Sequence, residues 1–444
     1  MNPLGWMHAP EQSLAHWDEL VALAARIKAD GLPRTLVCGM GGSSLVADVL
    51  ADTFRASDLH VLDSTNPDAV RSAGDEAQLA RTLFVISSKS GNTVETLSFC
   101  RYFLGRAHPR QFVAITETDS LLARLARERG FRATLPHPPD VGGRYSALTA
   151  IGMFPAALGG IDGRELLTRT RRVDIEAAKT FGRRLGAAAN AGRDKLGVSP
   201  PRQLAGLAAW IEQLIAESSG KDGRGVVPIV HDPVGAPLRD MQVVGADAFS
   251  ADPLDLGAEF LRWEYATASL CETLGVNAFD QPDVEEAKRL ARAELEAVRA
   301  PAGTPPAAPP PRATLSPRQL RESARPGDYV AILAYVRPTP AAYGTLQELR
   351  AAWGRALGCA TTLGFGPRYL HSTGQLHKGG PESGLFLVIT TEIDADMPIP
   401  EMGITFGALH HAQARGDVRA LLARGRRVSH VHLSSLGELA RLQP

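Results

Sequence analysis

The chain has 444 residues, 44% of them hydrophobic and 22% charged, a balance that supplies a packed interior and excludes disorder along its whole length. Forty-eight Lys and Arg stand against 48 Asp and Glu, so no net field would hold the chain on nucleic acid or on an anionic membrane. Any anion it binds must be held locally.

At about 150 residues per domain, the length predicts roughly three globular units. The N-terminal MNPLGWMHAPEQS has no basic segment leading into an apolar run, and no stretch of about 18 apolar residues follows. A cytoplasmic protein with no membrane span is expected. The cysteines Cys38, Cys100, Cys271 and Cys359 lie far apart without a CxxC pair, which predicts reduced, structural thiols and no metal site.

Leu14, Trp17, Leu20, Val21, Ala24 and Ile27 recur at helical spacing, so the first 34 residues form a helical segment. From residue 35, short β-rich runs alternate with helical patterns: TLVCG at 35–39, LHVLD at 59–63, TLFVISS at 82–88, QFVAIT at 111–116 and ATLPH at 133–137. That rhythm predicts a doubly wound parallel α/β unit over 35–165. An Ala-rich helical stretch opens a second unit, 166–300, with a helix through Trp210 to Ala216 and a strand at 226–230. Seven prolines within 301–317 read as a semi-rigid linker. Beyond it, 318–444 carries strands at 328–336, 360–366 and 384–392 around a helix near 345–357. This C-terminal α/β segment either stands alone or completes the second sheet.

Two strand-to-helix turns carry chemistry. The first strand runs into Gly39-Met40-Gly41-Gly42-Ser43-Ser44, and the third into Ser87-Ser88-Lys89-Ser90-Gly91-Asn92-Thr93. Glycines allow a tight turn while a helix start offers N–H groups and a positive dipole end, a suitable setting for phosphate. The first turn alone could be a plain connection, and the second could be an N-cap. Together they place a phosphorylated small molecule at the carboxyl edge of the sheet.

SSKSGNTVET resembles the phosphosugar loop of sugar isomerase (SIS) domains, and further segments resemble the phosphoglucose isomerase family. Val141-Gly142-Gly143-Arg144-Tyr145-Ser146 is similar to its VGGR[FY]S segment, and Glu217-Ser218-Ser219-Gly220-Lys221 to its ESNGK. Leu256-Gly257-Ala258 through Glu264, followed by Gly275 to Lys288, is similar to the signature ending in FDQxGVExxK. The chain also resembles the isomerase half of fused transaldolase/isomerase proteins, although it has no transaldolase portion.

The resemblance implies two SIS-like sheets and a cofactor-independent aldose–ketose isomerase acting on a hexose 6-phosphate. Gly41, Gly42 and Ser43 with Ser88, Lys89, Ser90 and Thr93 would hold the substrate, the last four around its phosphate. Glu217 is the implied base, Arg144 the cation facing the enediolate, and Lys288 the lysine that contacts the sugar ring. The family's ring-opening histidine lies in GTNGQH, which is missing at its usual place, where His231-Asp232-Pro233 stands. The segment His371-Ser372-Thr373-Gly374-Gln375-Leu376-His377-Lys378 is similar to it in composition, so His377 or His371 is expected to take that role. His410-His411 reads as a partly exposed helix feature. In the family the histidine comes from the neighbouring subunit, so a homodimer is expected, and a separate transaldolase is a further partner to consider. The rivals are an isomerase of another hexose phosphate, such as mannose 6-phosphate, and a phosphosugar sensor without turnover. Joint presence of Glu217, Arg144 and Lys288 favours the enzyme.

Overall fold

The computed structural model describes residues 3–231, 238–283, 289–290, 293–296 and 314–444. Its first unit is a parallel sheet of β1 (Arg34–Cys38), β2 (Leu59–Leu62), β3 (Thr82–Ser87), β4 (Phe112–Thr116) and β5 (Ala133–Pro136), ordered β2-β1-β3-β4-β5. The central β3 is covered on both faces and therefore reads as the unbroken run TLFVIS, whereas edge strand β5 alternates between half-buried and exposed. Side chains point alternately to the two faces. Val37, Leu83, Val85, Val113 and Ile115 pack with Ile27, Leu50 and Phe154, from helices Trp17–Ala29, Leu45–Phe54 and Ala150–Leu158. Leu36, Phe84, Ile86, Phe112 and Ala114 pack with Phe99 of helix Val94–Leu104 and, from far along the chain, with Phe406, Leu409 and Ala412 of helix Phe406–Ala423.

The strand order reverses between β1 and β3, which opens a crevice at their carboxyl ends. Both turns singled out in the sequence leave the sheet there.

The second unit contributes β6 (Lys195–Val198), β7 (Val227–Val230) and β8 (Met241–Val244), parallel in the order β7-β6-β8. The C-terminal segment adds β9 (Tyr329–Tyr335), β10 (Ala360–Phe365) and β11 (Gly384–Thr391). A short antiparallel pair follows, β12 (Pro398–Ile399) with β13 (Ile404–Thr405), and then β14 (Arg427–Leu433). Its four-stranded parallel sheet has the order β10-β9-β11-β14.

These C-terminal strands do not stand alone. β10 runs beside β7, and Ala216, Val227, Ile229 and Met241 share one core with Tyr329, Leu333, Phe386 and Val388. No ladder joins β7 to β10 among the described residues. The buried guanidinium of Arg350, on helix Pro340–Leu357, spans the seam instead, donating to Thr361 O on one side and to Val230 O and His231 O on the other.

Residues 301–313 of the proline-rich stretch fall outside the described residues. Packing resumes before residue 317, where the linker was expected to end: Leu315 N–H bonds Val428 O, and a Ser316–Gln319 capping box opens helix Pro317–Glu322. Among the described residues, no helix is long and apolar enough to cross a membrane.

Candidate active site

The turn after β1 forms one 3-10 turn, Gly41–Ser43, and then enters helix Leu45–Phe54. Gly41 has φ +55°, and a Cβ built there would lie 2.4 Å from His371 O. At Gly42 it would lie 2.1 Å from Gly143 O. Only glycine lets this turn sit against both neighbours. Ser43 and Ser44 are buried within it.

In the turn after β3, Ser88 Oγ lies 3.0 Å from Thr93 Oγ1 and accepts from Gly91 N–H at 3.1 Å. Ser90 Oγ accepts from Asn92 N–H at 3.4 Å. Thr93 stands at the N-cap of helix Val94–Leu104, yet its hydroxyl turns to Ser88 and makes no cap bond, so it leaves the helix's positive end open. The buried hydroxyls of Ser87 and Thr96 have no partner among the described residues. Lys89 points elsewhere: its ammonium lies 3.3 Å from Pro139 O and 3.7 Å from Glu117, over the ends of β4 and β5.

Arg144, on the short turn Gly143–Tyr145, is 4% exposed. Its Nε donates to Ser218 Oγ at 2.8 Å, and its Nη2 to Ala278 O and Asp280 O at 2.5 and 2.9 Å. These anchors leave Nη1 to face Glu217 Oε1 at 3.3 Å. Glu217 lies in the last turn of helix Leu207–Ser219, and its Oε2 accepts from Gln213 Nε2 at 3.0 Å. The same amide nitrogen donates to His371 O at 2.8 Å, tying the carboxylate to the histidine's backbone. Lys221 is buried and bonds Asn277 O and Asp280 Oδ1, fixing the 277–280 loop that holds Arg144. Desolvation pulls its ammonium pKa down, Arg144 adds to the effect, and Asp280 opposes it.

Of the two C-terminal histidines, the structure brings only His371 here. It closes the turn Arg368–His371, and its Nε2 lies 2.9 Å from Glu95 Oε1. His377 lies on the following helix, Gly374–Gly379, and is buried among the rings of Phe386, Tyr369 and Tyr329, with centroids 5.2, 6.0 and 6.5 Å away. Burial, with Lys378 and Arg426 nearby, pushes its pKa well below the usual imidazole value, so it is a neutral core residue. Lys378 is likewise internal, paired with Asp417 at 2.5 Å. His410 is also fully buried, contrary to the partly exposed feature expected, and burial lowers its pKa to about 3.

Lys288 lies outside the described residues. Asp283, five positions before it, exchanges two hydrogen bonds with Gln375, which also donates to Gly220 O, so Asp283 itself is held beside the Glu217 segment. A separate cavity of about 550 Å³, lined by Asp48, Glu212, His231, Arg350 and Arg368, touches Ser372 but none of the residues assigned a catalytic or substrate-binding role from the sequence. There, burial pushes the Glu212 carboxyl up to about 7.

The sequence reading did not single out Gln213, Glu95 or Gln375. Gln213 sits four residues before Glu217, a spacing that puts both on one helix face. Glu95 sits in the first turn of helix Val94–Leu104, two residues past the hydroxyl-rich turn. Gln375 carried no local signal beyond its place in the histidine-bearing segment.

No family model matches the chain. It is 36% identical over 235 residues to a glucose-6-phosphate isomerase of Acaryochloris marina, covering 47% of this chain and 44% of that one. It is 30% identical over 264 residues to the corresponding protein of Rubrobacter xylanophilus, covering 53% and 60%. The matched region thus spans about half the length of these curated relatives. A glucose-6-phosphate isomerase structure from Chlamydia trachomatis superposes with a TM-score of 0.53 at 18% identity, over 66% of this chain and 75% of that one. That likeness is one of fold.

Proposed function

We propose that this relative of the glucose-6-phosphate isomerases interconverts glucose 6-phosphate and fructose 6-phosphate through a cis-enediol, without a cofactor. The phosphate sits on the Ser88–Thr93 turn at the open start of helix Val94–Leu104, where hydroxyls and N–H groups hold a dianion without a basic patch. Glu217 takes the proton from C2 of the open-chain aldose and returns it to C1. The hydroxyl proton moves from O2 to O1, so the carbonyl shifts by one carbon with no net loss of atoms. Arg144 Nη1 supplies a fixed positive charge for the enediolate at the moment it forms. Lys288 keeps its implied place against the ring.

His371 moves the ring-opening proton, held in one orientation by Glu95 as a carboxylate holds the imidazole of a catalytic pair. Its backbone packs on Gly41 and Gln213 of the same chain, so the homodimer implied by the resemblance is not needed to deliver this histidine. A cytoplasmic setting is in keeping with four unpaired cysteines.

The observation that carries this reading is a buried carboxylate with one oxygen on a guanidinium and the other on an amide that also holds the histidine segment. A coupled assay with fructose 6-phosphate tests it. Glu217→Gln should lose about a thousandfold in kcat while still binding sugar phosphate. A wild type that binds hexose 6-phosphate but does not turn it over would replace the enzyme with a sensor.

A further inference from the structure

His371 and Glu95 are the visible end of a longer buried chain of polar side chains. Gln413, on helix Phe406–Ala423, donates from Nε2 to Glu95 Oε1 at 2.6 Å, the same oxygen that faces His371. Its Oε1 accepts from Thr65 Oγ1 at 2.8 Å, and Thr65 Oγ1 lies 3.0 Å from His410 Nδ1. Glu95, Thr65, His410 and Gln413 are each at least nine-tenths buried. The members come alternately from the two ends of the chain: His371, His410 and Gln413 from the C-terminal segment, Glu95 and Thr65 from the first unit.

With Glu95 ionised, the chemistry of each group sets a direction for each bond. An ionised carboxylate only accepts, so Gln413 presents its NH₂ to Glu95 and its carbonyl to Thr65. A carbonyl only accepts, so Thr65 must spend its one hydroxyl proton on Gln413. On this scheme His410 Nδ1 carries the proton and donates to Thr65, in competition with the backbone carbonyl of Tyr335, which also accepts from the ring. The donors run one way, from His410 through Thr65 and Gln413 to Glu95, and they meet the N–H of His371 arriving from the other side. No member can flip without setting two acceptors or two donors against each other in a site with little water to compensate.

We infer that Gln413, with its amide oriented by Thr65, is a positioning residue for His371, fixing through Glu95 which ring nitrogen carries the proton. This rests on the reading of His371 as the ring-opening group. A second carboxylate contact pins Glu95 Oε1 between two donors, so the imidazole holds its proton on Nε2 and turns Nδ1 away from Glu95, available for proton transfer.

The full-length chain labelled with ¹⁵N-histidine tests this by NMR, with His371 and His410 assigned through His371→Ala and His410→Ala. In the wild type, neutral His371 should carry its proton on Nε2 and His410 on Nδ1. Gln413→Leu should give a mixed His371 tautomer and a kcat for fructose 6-phosphate about tenfold lower, with KM changed by less than about twofold. Thr65→Val should move both readouts the same way, and Thr65→Ser should restore them. If wild-type His410 carries its proton on Nε2, or if Thr65→Val leaves the His371 tautomer untouched, the inference fails even where Gln413→Leu does not fold. An inert wild type would overturn the isomerase reading alone, because the tautomers report on Gln413 without turnover.

Discussion

The two sheets follow the same parallel plan but are held together by different means. In the first, every strand is laddered to its neighbours, and all five come from one continuous stretch of chain. In the second region, β7-β6-β8 and β10-β9-β11-β14 come from either side of the proline-rich stretch and meet at a seam with no ladder among the described residues. There one guanidinium does the work of strand pairing. Arg350 supplies donors to backbone carbonyls on both sides, and a shared apolar core closes the gap. Two half-sheets far apart in sequence can thus join without matching each other's register.

Breaking the seam should have the largest effect on stability. Arg350→Met leaves the buried carbonyls of Val230 and Thr361, and the less buried one of His231, without these donors and should cost about 3–5 kcal/mol. Hydrogen exchange would localise the loss, with amides of β9 and β10 opening sooner and those of β1 to β4 unchanged. Uniform loosening of both sheets would erase the contrast.

A smaller effect is expected where the first unit's turn meets the C-terminal segment. Gly41→Ala puts a methyl within clashing distance of His371 O at a positive φ. We expect kcat to fall about tenfold to a hundredfold while the melting temperature stays close to wild type, since the histidine moves but the cores do not. Unchanged kcat would show that His371 tolerates displacement and would detach it from the mechanism.

The smallest change is expected at Lys89. Its ammonium is spent on Glu117 and Pro139 O, so Lys89→Ala should alter KM for the sugar phosphate by less than about threefold. A tenfold rise would return Lys89 to the phosphate, as the sequence reading had it.

The same contrast explains what the sequence could reveal. The first sheet was legible because each strand is an apolar run bounded by turn residues, information contained within ten or so positions. Glu217 and Arg144 could be picked out because their motifs are contiguous; what the structure adds is that they lie 3.3 Å apart. β8 was not read: MQVV is four residues long, with Val243 exposed, and has little periodicity to detect. That His371 lies beside Glu95 while His377 is buried in the core could not be read from composition, because it turns on whether a 3-10 turn precedes a helix by two residues. Gln413 and Thr65 were invisible for a different reason. They belong to the site only through partners hundreds of positions away, and nothing in their own surroundings marks them.

That separation bears on how the chain comes off the ribosome. Strands β1 to β5 can pair as soon as they emerge, since their contacts are short-range. Glu95, by contrast, must wait for His371, 276 positions later, and for Gln413, 318 positions later. A nascent chain can therefore carry the paired strands and their two glycine- and serine-rich turns while still lacking the His371–Glu95 contact, and the full polar arrangement should arrive late in synthesis, when helix Phe406–Ala423 docks.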